Sequence, residues 1–387
     1  MNRENDSEGD DAGAAGGDAE FDPVDFLDRA VPIASHEDVE PMTEFLVETL
    51  AAHGVAADVD DVGNVVASRG SAAADADDAD DPDGTHLVLN THLDTVSPHV
   101  PHERTDDEIR GRGACDAKGP LAAMVAAFLA VDPGDGRITL AVTPDEETDS
   151  TGAATLDLGA DLYVVGEPTG LDVCHAGKGR YQGTATLRGS AAHAAEPESG
   201  TNAVAALEGA LAAVRTFDDG RDPHPELGSP TLTPTVVAGG DSANQVAAEC
   251  RLTLDRRPLP DETAEEFSAA LTAALREAVP PDVEVSFDLV DRPAPFLGSY
   301  ETPETHPLVE TLAAAVADVR PEAGAVRPFG AACEASFFAP APVVVFGPGV
   351  LADDEGGVAH ADREYVRVDD VRAAARALTA TVDALVG

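Results

Sequence analysis

Lysine is almost absent from this chain: of its 24 basic residues, only Lys118 and Lys178 are lysines. Set against 73 acidic residues, the basic residues leave a formal net charge of −49. This charge argues against nucleic acid as a partner, because the protein would repel phosphates. An acidic surface poor in lysine is typical of proteins from salt-saturated cytoplasm, where salt screens the self-repulsion. We therefore expect a halophilic protein.

Cysteines and long apolar runs are also scarce. The four cysteines have no CxxC spacing, and we interpret them as reduced thiols of a cytoplasmic protein. No run approaches the ~18 apolar residues that a membrane helix requires. Residues 1–20 lack the basic and apolar regions of a signal peptide and are predicted to form a disordered acidic tail. We therefore expect a cytoplasmic protein without a membrane partner.

Apolar patterning indicates two domains in this chain of 387 residues. In residues 21–178 and 291–387, short apolar strands alternate with helices, which predicts a mostly parallel sheet with helices on both faces. The predicted strands include His86–Asn90, Ile138–Val142, Leu162–Val165 and Val343–Phe346, and the predicted helices include Pro23–Val31, Val39–His53, Pro120–Val131 and Val371–Leu385. An Asp/Ala-rich stretch at Ser71–Gly84 is predicted to be a solvated surface loop.

The order of elements changes in residues 179–290. The strand Tyr181–Arg188 is followed by a helix at Asn202–Thr216, strands at Thr231–Val237 and Gln245–Leu254, a helix at Glu262–Val279 and a strand at Val283–Leu289. This β-α-β-β-α-β order predicts a ferredoxin-like α+β unit. We therefore expect it to be inserted into an α/β domain formed by the sequence on either side.

Ligand-type side chains follow the predicted strands or precede a helix in five places. They are His92 with Asp94, Asp116, the acids Asp145 to Glu147, Glu167, and His360. Imidazole and carboxylate groups bind metal ions, and open α/β sheets bind ligands beyond their strand ends. Residues two apart in an extended segment point the same way, so one of His92 and Asp94 can ligate while the other orients it.

The run of three acids carries a further indication. Adjacent carboxylates repel one another unless a cation is present, and adjacent side chains diverge, so one glutamate can ligate while its neighbour acts as a base. Each place also has an ordinary explanation, such as a helix cap at Asp116 or a solvated acidic loop at residues 145–147. Their combination in one chain favours a metal site.

These places and their surroundings resemble the family of acetylornithine deacetylase, succinyl-diaminopimelate desuccinylase and the related aminoacylases and carboxypeptidases. The motifs are THLDTV, GRGACDAKGP, PDEE, VGEPT, GSAAHAAEPESGTNAV, GGDSANQV, LDRRPLP and AHADREYV. The resemblance covers nearly everything from Asp22 onward. It implies a zinc-exopeptidase-like catalytic domain that holds two divalent ions, zinc foremost, with cobalt or manganese as alternatives.

The resemblance also implies roles for individual residues. His92 and Glu167 would bind one ion, Glu147 and His360 the other, and Asp116 would bridge both. Asp94 would brace His92, and Glu146 would be the general base. These implied roles agree with the reading of the five places above.

In the inserted unit, the resemblance implies a lid that forms a homodimer. His193 would reach the partner's site and stabilise the oxyanion, and Asn244 would contact the partner's substrate. Arg180 and Arg257 would receive substrate carboxylates through their bidentate guanidinium groups. An exposed strand charge is the ordinary alternative for Arg257.

Two features of the sequence point to different substrates. The segment around Cys333 resembles the acetylornithine deacetylase pattern, although a hydroxyl residue is usual at that position, whereas Arg180 resembles the desuccinylase pattern. One residue, Ser97, also separates THLDTV from the following proline. We expect an amide hydrolase that removes an acyl group from a small N-acyl amino acid. A zinc dipeptidase or carboxypeptidase, and a hydrolase that releases an amino acid from a carrier protein, stay as alternatives.

Overall fold

The computed structural model describes residues 21–71, 84–260 and 262–387. The predicted acidic tail at residues 1–20 and most of the predicted loop at Ser71–Gly84 lie outside the described residues. The helices are α1 (Pro23–Ala30), α2 (Glu40–Ala52), α3 (Lys118–Ala130), α4 (Thr151–Thr155), α5 (Ala203–Thr216), α6 (Ala264–Ala278), α7 (Pro307–Val319), α8 (Ala335–Phe338) and α9 (Val368–Val386). Within those described ranges, no helix is long and apolar enough to cross a membrane.

The sequence on either side of the inserted unit forms a large central sheet. Its strands, in sequence order, are β1 (Asp58–Val59), β2 (Val65–Gly70), β3 (His86–His92), β6 (Arg137–Thr143), β7 (Leu162–Val165), β8 (Val173–Gly177), β13 (Tyr300–Glu301), β14 (Val326–Phe329) and β15 (Val343–Val345). Their spatial order is β1-β2-β6-β3-β7-β15-β8-β13, with β14 also paired to β8. The four central strands β6, β3, β7 and β15 run parallel, so their carboxyl ends share one edge.

Helices cover both faces of this sheet. On one face α1, α2, α3, α7 and α9 bury a large aliphatic core, in which α9 packs on both α3 and α7. On the other face a smaller core packs α8 against β7 and β15, where the rings of Tyr163 and Phe338 stack 4.6 Å apart. Strands buried on both faces read as continuous apolar runs, as in β7 and β15.

The inserted segment folds as a second sheet with its own core. Its strands are β9 (Tyr181–Arg188), β10 (Thr231–Gly239), β11 (Glu249–Arg257) and β12 (Glu284–Leu289), in the antiparallel order β10-β11-β9-β12. Helices α5 and α6 pack on this sheet over Phe267, Leu271 and Leu275. The order of the strands along the chain and across the sheet is that of a ferredoxin-like unit, as predicted.

The remaining strands are short pairs near the loops that hold the candidate ligands. They are β4 (Glu103–Arg104), β5 (Glu108–Arg110), β16 (Ala352–Asp353), β17 (Gly356–Gly357) and β18 (Tyr365–Arg367). β18 pairs with β5, which brings the end of the chain beside the segment that contains Asp116.

Most element boundaries differ from the predictions by one to four residues, and two of these differences are informative. Helix α3 begins at Lys118 rather than Pro120, so the proline occupies the third position of the first turn, where no helical N–H is required. Strand β11 begins at Glu249 rather than Gln245. The residues before it instead run beside the segment around His193, where Val246 N–H donates to Ala192 and Ala194 N–H donates to Asn244.

Candidate metal centre

His92 ends strand β3, and its side chain is 1% exposed. Its Nδ1 lies 3.0 Å from the backbone oxygen of Asp94 and 3.3 Å from Asp94 Oδ1. Because a carbonyl oxygen only accepts, Nδ1 carries a hydrogen, and in the neutral imidazole Nε2 is left with a lone pair. Nε2 is buried and, within the part of the chain that the structure describes, makes no hydrogen bond. An imidazole oriented in this way is typical of a metal ligand.

Asp94 also fixes the acidic loop that follows β6. Its Oδ1 accepts from the backbone N–H of Glu146 at 3.0 Å, and its Oδ2 accepts from that of Glu147 at 3.0 Å. One residue therefore orients an imidazole through its backbone oxygen and, through its carboxylate, the loop that carries two further acids. The sequence indicated only the first of these contacts.

Asp116 lies between two histidines. Its Oδ1 is 3.3 Å from His92 Nε2, and its Oδ2 is 3.3 Å from His360 Nε2. The same His360 nitrogen is 3.1 Å from the carboxylate of Glu147. His360 has a φ of 64°, a left-handed conformation that is uncommon outside glycine and concentrated at functional sites.

The ligand-type atoms form two adjacent groups. His92, Glu146 and Glu167 make up the first, and Asp116, Glu147 and His360 make up the second; in each group the atoms lie within 4.8 Å of one another. The structure thus brings together all five predicted ligands and the predicted base. The divergence of adjacent side chains is also observed, since Glu146 lies in one group and Glu147 in the other.

The electrostatics of the cluster fit divalent cations. Burial raises the pKa of Glu146 well above its usual range, and the nearby carboxylates of Glu334 and Glu147 raise it further. Burial and the negative charge of Asp116 act on Glu167 in the same direction. Several carboxylates packed out of water repel one another, and metal ions would relieve that repulsion. The His92 nitrogen without a hydrogen bond and this excess of negative charge both fit a pair of bound ions.

Burial would likewise raise the pKa of Asp116, but the close contacts with His360 and His92 outweigh it and lower that pKa. Asp116 therefore stays ionised between the two histidines. A carboxylate that remains charged at this point can share its two oxygens between two cations, one on each side.

Two buried groups near the cluster escaped the sequence reasoning. Glu334 is 1% exposed, accepts from Thr143 Oγ1 at 2.7 Å, and burial raises its pKa to about 8. Arg112 donates to Glu364 at 2.6 Å, and Glu364 in turn accepts from the backbone N–H of Asp116. Arg112 and Glu364 lie within the motifs GRGACDAKGP and AHADREYV, but nothing in the sequence pairs residues that are 252 positions apart.

A cavity of about 450 Å³ opens onto the cluster. Arg180, Arg257 and Arg292 line it together with the acidic groups of the cluster. Asp255 holds the first two, accepting from Arg180 Nε at 3.1 Å and from Arg257 Nε at 2.8 Å. Arg292 was not predicted; it follows the last strand of the inserted unit and donates to the backbone oxygen of Asp149 at 2.7 Å.

His193 and Asn244 lie elsewhere, beside each other on the inserted unit. Ala194 N–H donates to the backbone oxygen of Asn244, and both side chains are exposed. Neither His193 nor Asn244 is among the described residues that line the cavity of their own chain. Cys333 is buried near the cluster, and burial raises its pKa well above the usual range, which disfavours a nucleophilic role.

Comparison with known proteins places the chain among metallopeptidases and related hydrolases. The model of peptidase family M20/M25/M40 matches residues 88–384. A LysW-lysine/LysW-ornithine hydrolase of Pyrobaculum aerophilum is 29% identical over 356 residues, 91% of this chain and 93% of the relative. An acetylornithine deacetylase of Edwardsiella ictaluri is 29% identical over 305 residues, 73% of this chain and 76% of the relative.

The fold is also found in solved structures. The YXEP protein of Bacillus subtilis, described as a dinuclear metal binding peptidase, superimposes with a TM-score of 0.68 at 12% identity, covering 94% of this chain and 97% of that one. This likeness confirms the predicted α/β fold with its inserted unit. The match over residues 88–384 confirms the resemblance drawn from the motifs. The chain belongs to peptidase family M20/M25/M40, a family of hydrolases that act on amide bonds.

Proposed function

We propose that this protein is a two-metal amidohydrolase that removes the acyl group from a small N-acyl amino acid. The observation that carries the proposal is Asp116, whose two carboxylate oxygens each lie 3.3 Å from a histidine of a different ligand group. That arrangement suits a carboxylate shared by two ions. The likeness to an acetylornithine deacetylase supports the substrate class.

In this proposal His92 and Glu167 hold one ion, and Glu147 and His360 hold the other. Imidazole and carboxylate ligands suit zinc best, with cobalt and manganese as alternatives. When bound, the two ions would polarise the acyl carbonyl and lower the pKa of the attacking water. Asp94 keeps the ligating nitrogen of His92 free by accepting from its other nitrogen.

Glu146 is the proposed general base. Its backbone is fixed by Asp94, and its carboxylate lies with His92 and Glu167 at the edge of the cavity. It would accept the proton of the attacking water and then donate it to the amine of the leaving amino acid. A half-buried carboxyl with a raised pKa is suited to hold a proton between these two steps.

The arginines of the cavity supply the proposed recognition of the substrate. Arg180 and Arg257 share Asp255, which holds each guanidinium in place while leaving nitrogens free for a ligand. A substrate carboxylate can accept two parallel hydrogen bonds from such a group. Arg292 adds a third positive charge. Three arginines in so acidic a protein favour a substrate with at least one carboxylate.

A panel of substrates tests the proposal. N-acetylornithine, N-succinyl-diaminopimelate and several dipeptides would be assayed with zinc or cobalt in molar potassium chloride. We expect at least one N-acyl amino acid to be hydrolysed much faster than any dipeptide, and chelator to abolish the reaction. Faster hydrolysis of dipeptides would replace the proposal with a peptidase. Undiminished activity in thorough chelator would refute the role of the metal.

A second candidate is release of lysine or ornithine from a carrier protein. The likeness to the LysW-lysine/LysW-ornithine hydrolase, which spans 91% of this chain, favours it. The same cluster and base would serve, and only the acyl side of the substrate would change. Adding a carrier linked to lysine or ornithine to the panel separates this candidate from the first.

We also propose that the inserted unit acts as a lid and forms a homodimer. Strand β10 is an edge strand with exposed Val236 and Val237, a surface suited to a second copy of the chain. His193 of the partner subunit would stabilise the oxyanion, and Asn244 of the partner subunit would contact the substrate. The cytoplasmic and halophilic setting stays a prediction.

Mixed dimers test the shared site. The variants His193→Ala and Glu146→Gln should each be nearly inactive, since loss of an oxyanion donor costs about 10²–10³ in rate. A dimer of one of each variant has one site with an intact base and an intact histidine. We expect such mixtures to regain up to half of the activity after subunits exchange. Recovery of no activity, or a fully active monomer, would contradict the shared site.

A further inference from the structure

A second cluster of ligand-type residues lies apart from the metal centre and shares no residue with it. It consists of His175, Glu226 and Glu304, whose ligand atoms lie within 4.8 Å of one another. His175 belongs to strand β8 of the central sheet, and Glu304 follows strand β13. Glu226 belongs to the connection between α5 and β10 of the inserted unit. The cluster therefore joins the two parts of the chain.

His175 is oriented as a metal ligand would be. It is 1% exposed, and its Nδ1 lies 2.7 Å from the backbone oxygen of Thr302. A carbonyl oxygen only accepts, so Nδ1–H donates, and in a neutral imidazole Nε2 then offers its lone pair to a ligand. That nitrogen is buried and makes no hydrogen bond to any residue the structure describes. Its nearest acidic oxygen, on Glu304, is 3.7 Å away, too far for a hydrogen bond.

Glu226 is brought to this place by a closed loop. His224 and Gly228 exchange two backbone hydrogen bonds, of 3.0 and 2.9 Å. Within the loop, His224 Nδ1 accepts from the backbone N–H groups of Glu226 and Leu227, each at 3.2 Å. Leu227 belongs to one buried apolar cluster with Leu259 and with Ala176, the residue after His175. The loop thus has a fixed shape and a fixed contact with the sheet.

We propose that His175, Glu226 and Glu304 bind a divalent transition-metal ion that fastens the loop of residues 224–228 to the central sheet. One imidazole and two carboxylates suit zinc, cobalt or manganese, and water would complete the coordination. A buried polar nitrogen without a partner is costly, and a metal bond would satisfy it. Thr302 plays the orienting part that backbone carbonyls commonly play behind metal-bound histidines.

The test compares variants that share the same metal centre. Glu226 and Glu304 are exposed, so the double variant Glu226→Gln/Glu304→Gln removes two ligands without disturbing a core. The control, Glu277→Gln/Glu310→Gln, removes the same charge from exposed positions on α6 and α7. All three proteins would be dialysed to equilibrium against zinc in about 2 M potassium chloride, which screens unspecific cation binding to an acidic surface. Bound zinc would be counted per chain.

We expect wild type and the control to bind one more zinc ion per chain than the double variant. Hydrogen exchange at residues 224–229 should slow on zinc loading in wild type and in the control only. Equal zinc content in all three proteins would show that His175 merely pairs with Glu304 and would overturn the proposal. A loss in the control equal to that in the double variant would also overturn it. Because the result is a difference between variants, it does not depend on the proposed reaction.

Discussion

The buried pair of Arg112 and Glu364 offers a sharp test of how the metal centre is held. Both side chains are 1% exposed and meet at 2.6 Å. Glu364 also accepts from the backbone N–H groups of Cys115 and Asp116, at 3.1 and 3.2 Å. Arg112 also donates to the backbone oxygen of Ala361, at 3.2 Å. The pair therefore joins the loop that carries Asp116 to the loop that carries His360.

The expected effect of Glu364→Gln follows from burial. Glutamine has nearly the same shape, and its amide oxygen can still accept from the two backbone groups, but its NH2 group then faces Arg112, so the negative charge and the hydrogen bond to Arg112 are both lost. Arg112 would then be a buried cation without a counter-ion. Removing one partner of a buried ion pair typically costs about 3–5 kcal/mol of unfolding free energy. Displacement of groups that orient metal ligands typically lowers metal affinity by about 10–100-fold.

Asp353→Asn provides a control, because it removes the ion-pair partner of Arg363, the residue next to Glu364. Arg363 pairs with Asp353 at 2.5 Å, but their side chains are 32% and 23% exposed. Exposed or half-exposed pairs contribute about 0–1 kcal/mol. Denaturant unfolding in molar potassium chloride and zinc titration would compare the two variants. Equal losses of stability, or a Glu364→Gln variant with unchanged zinc affinity, would refute this account of the centre.

Two further predictions follow from the site and from the charge. Glu146→Gln should keep both ions and lose at least ~10²–10⁴ in rate, as expected on removal of a general base. Glu147→Gln should instead lose one ion. If Glu146→Gln loses an ion and Glu147→Gln keeps both, the roles of the two residues are reversed. The melting temperature should rise markedly from dilute buffer to molar potassium chloride, because salt screens the repulsion within a chain of net charge −49, and a flat or falling response would contradict a halophilic fold.

The sequence predicted well those elements whose own residues show an unbroken apolar run or an apolar face. Strand β7 and strand β15 are uninterrupted apolar runs, and α9 shows a long apolar face, so each was recognisable without its neighbours. Strand β8, with the sequence VCHAG, was missed. Its small and polar residues are buried only because β14, β15 and β13 surround them.

The same distinction holds for the candidate site. His92, Asp116 and Glu167 adjoin glycines or strand ends in short motifs, so the sequence pointed to them directly. Arg292 and Glu364 could not be found in this way, because their partners lie far along the chain. The roles of His193 and Asn244 depend on a second copy of the chain and stay predictions.

The two lysines show how composition and structure are connected in this protein. Lys118 is 1% exposed and its ammonium donates to the backbone oxygens of Ala30 and Ile33, at 3.1 and 2.5 Å. Lys178 donates to the backbone oxygen of Ser229. Burial lowers the pKa of Lys118 to about 8, so its charge is retained at neutral pH only with a reduced margin. Both lysines satisfy carbonyl oxygens at particular places, a task suited to a compact ammonium on a flexible stem. Lysine is thus scarce on the solvated surface, but it is present at the two positions where its ammonium group binds backbone oxygens.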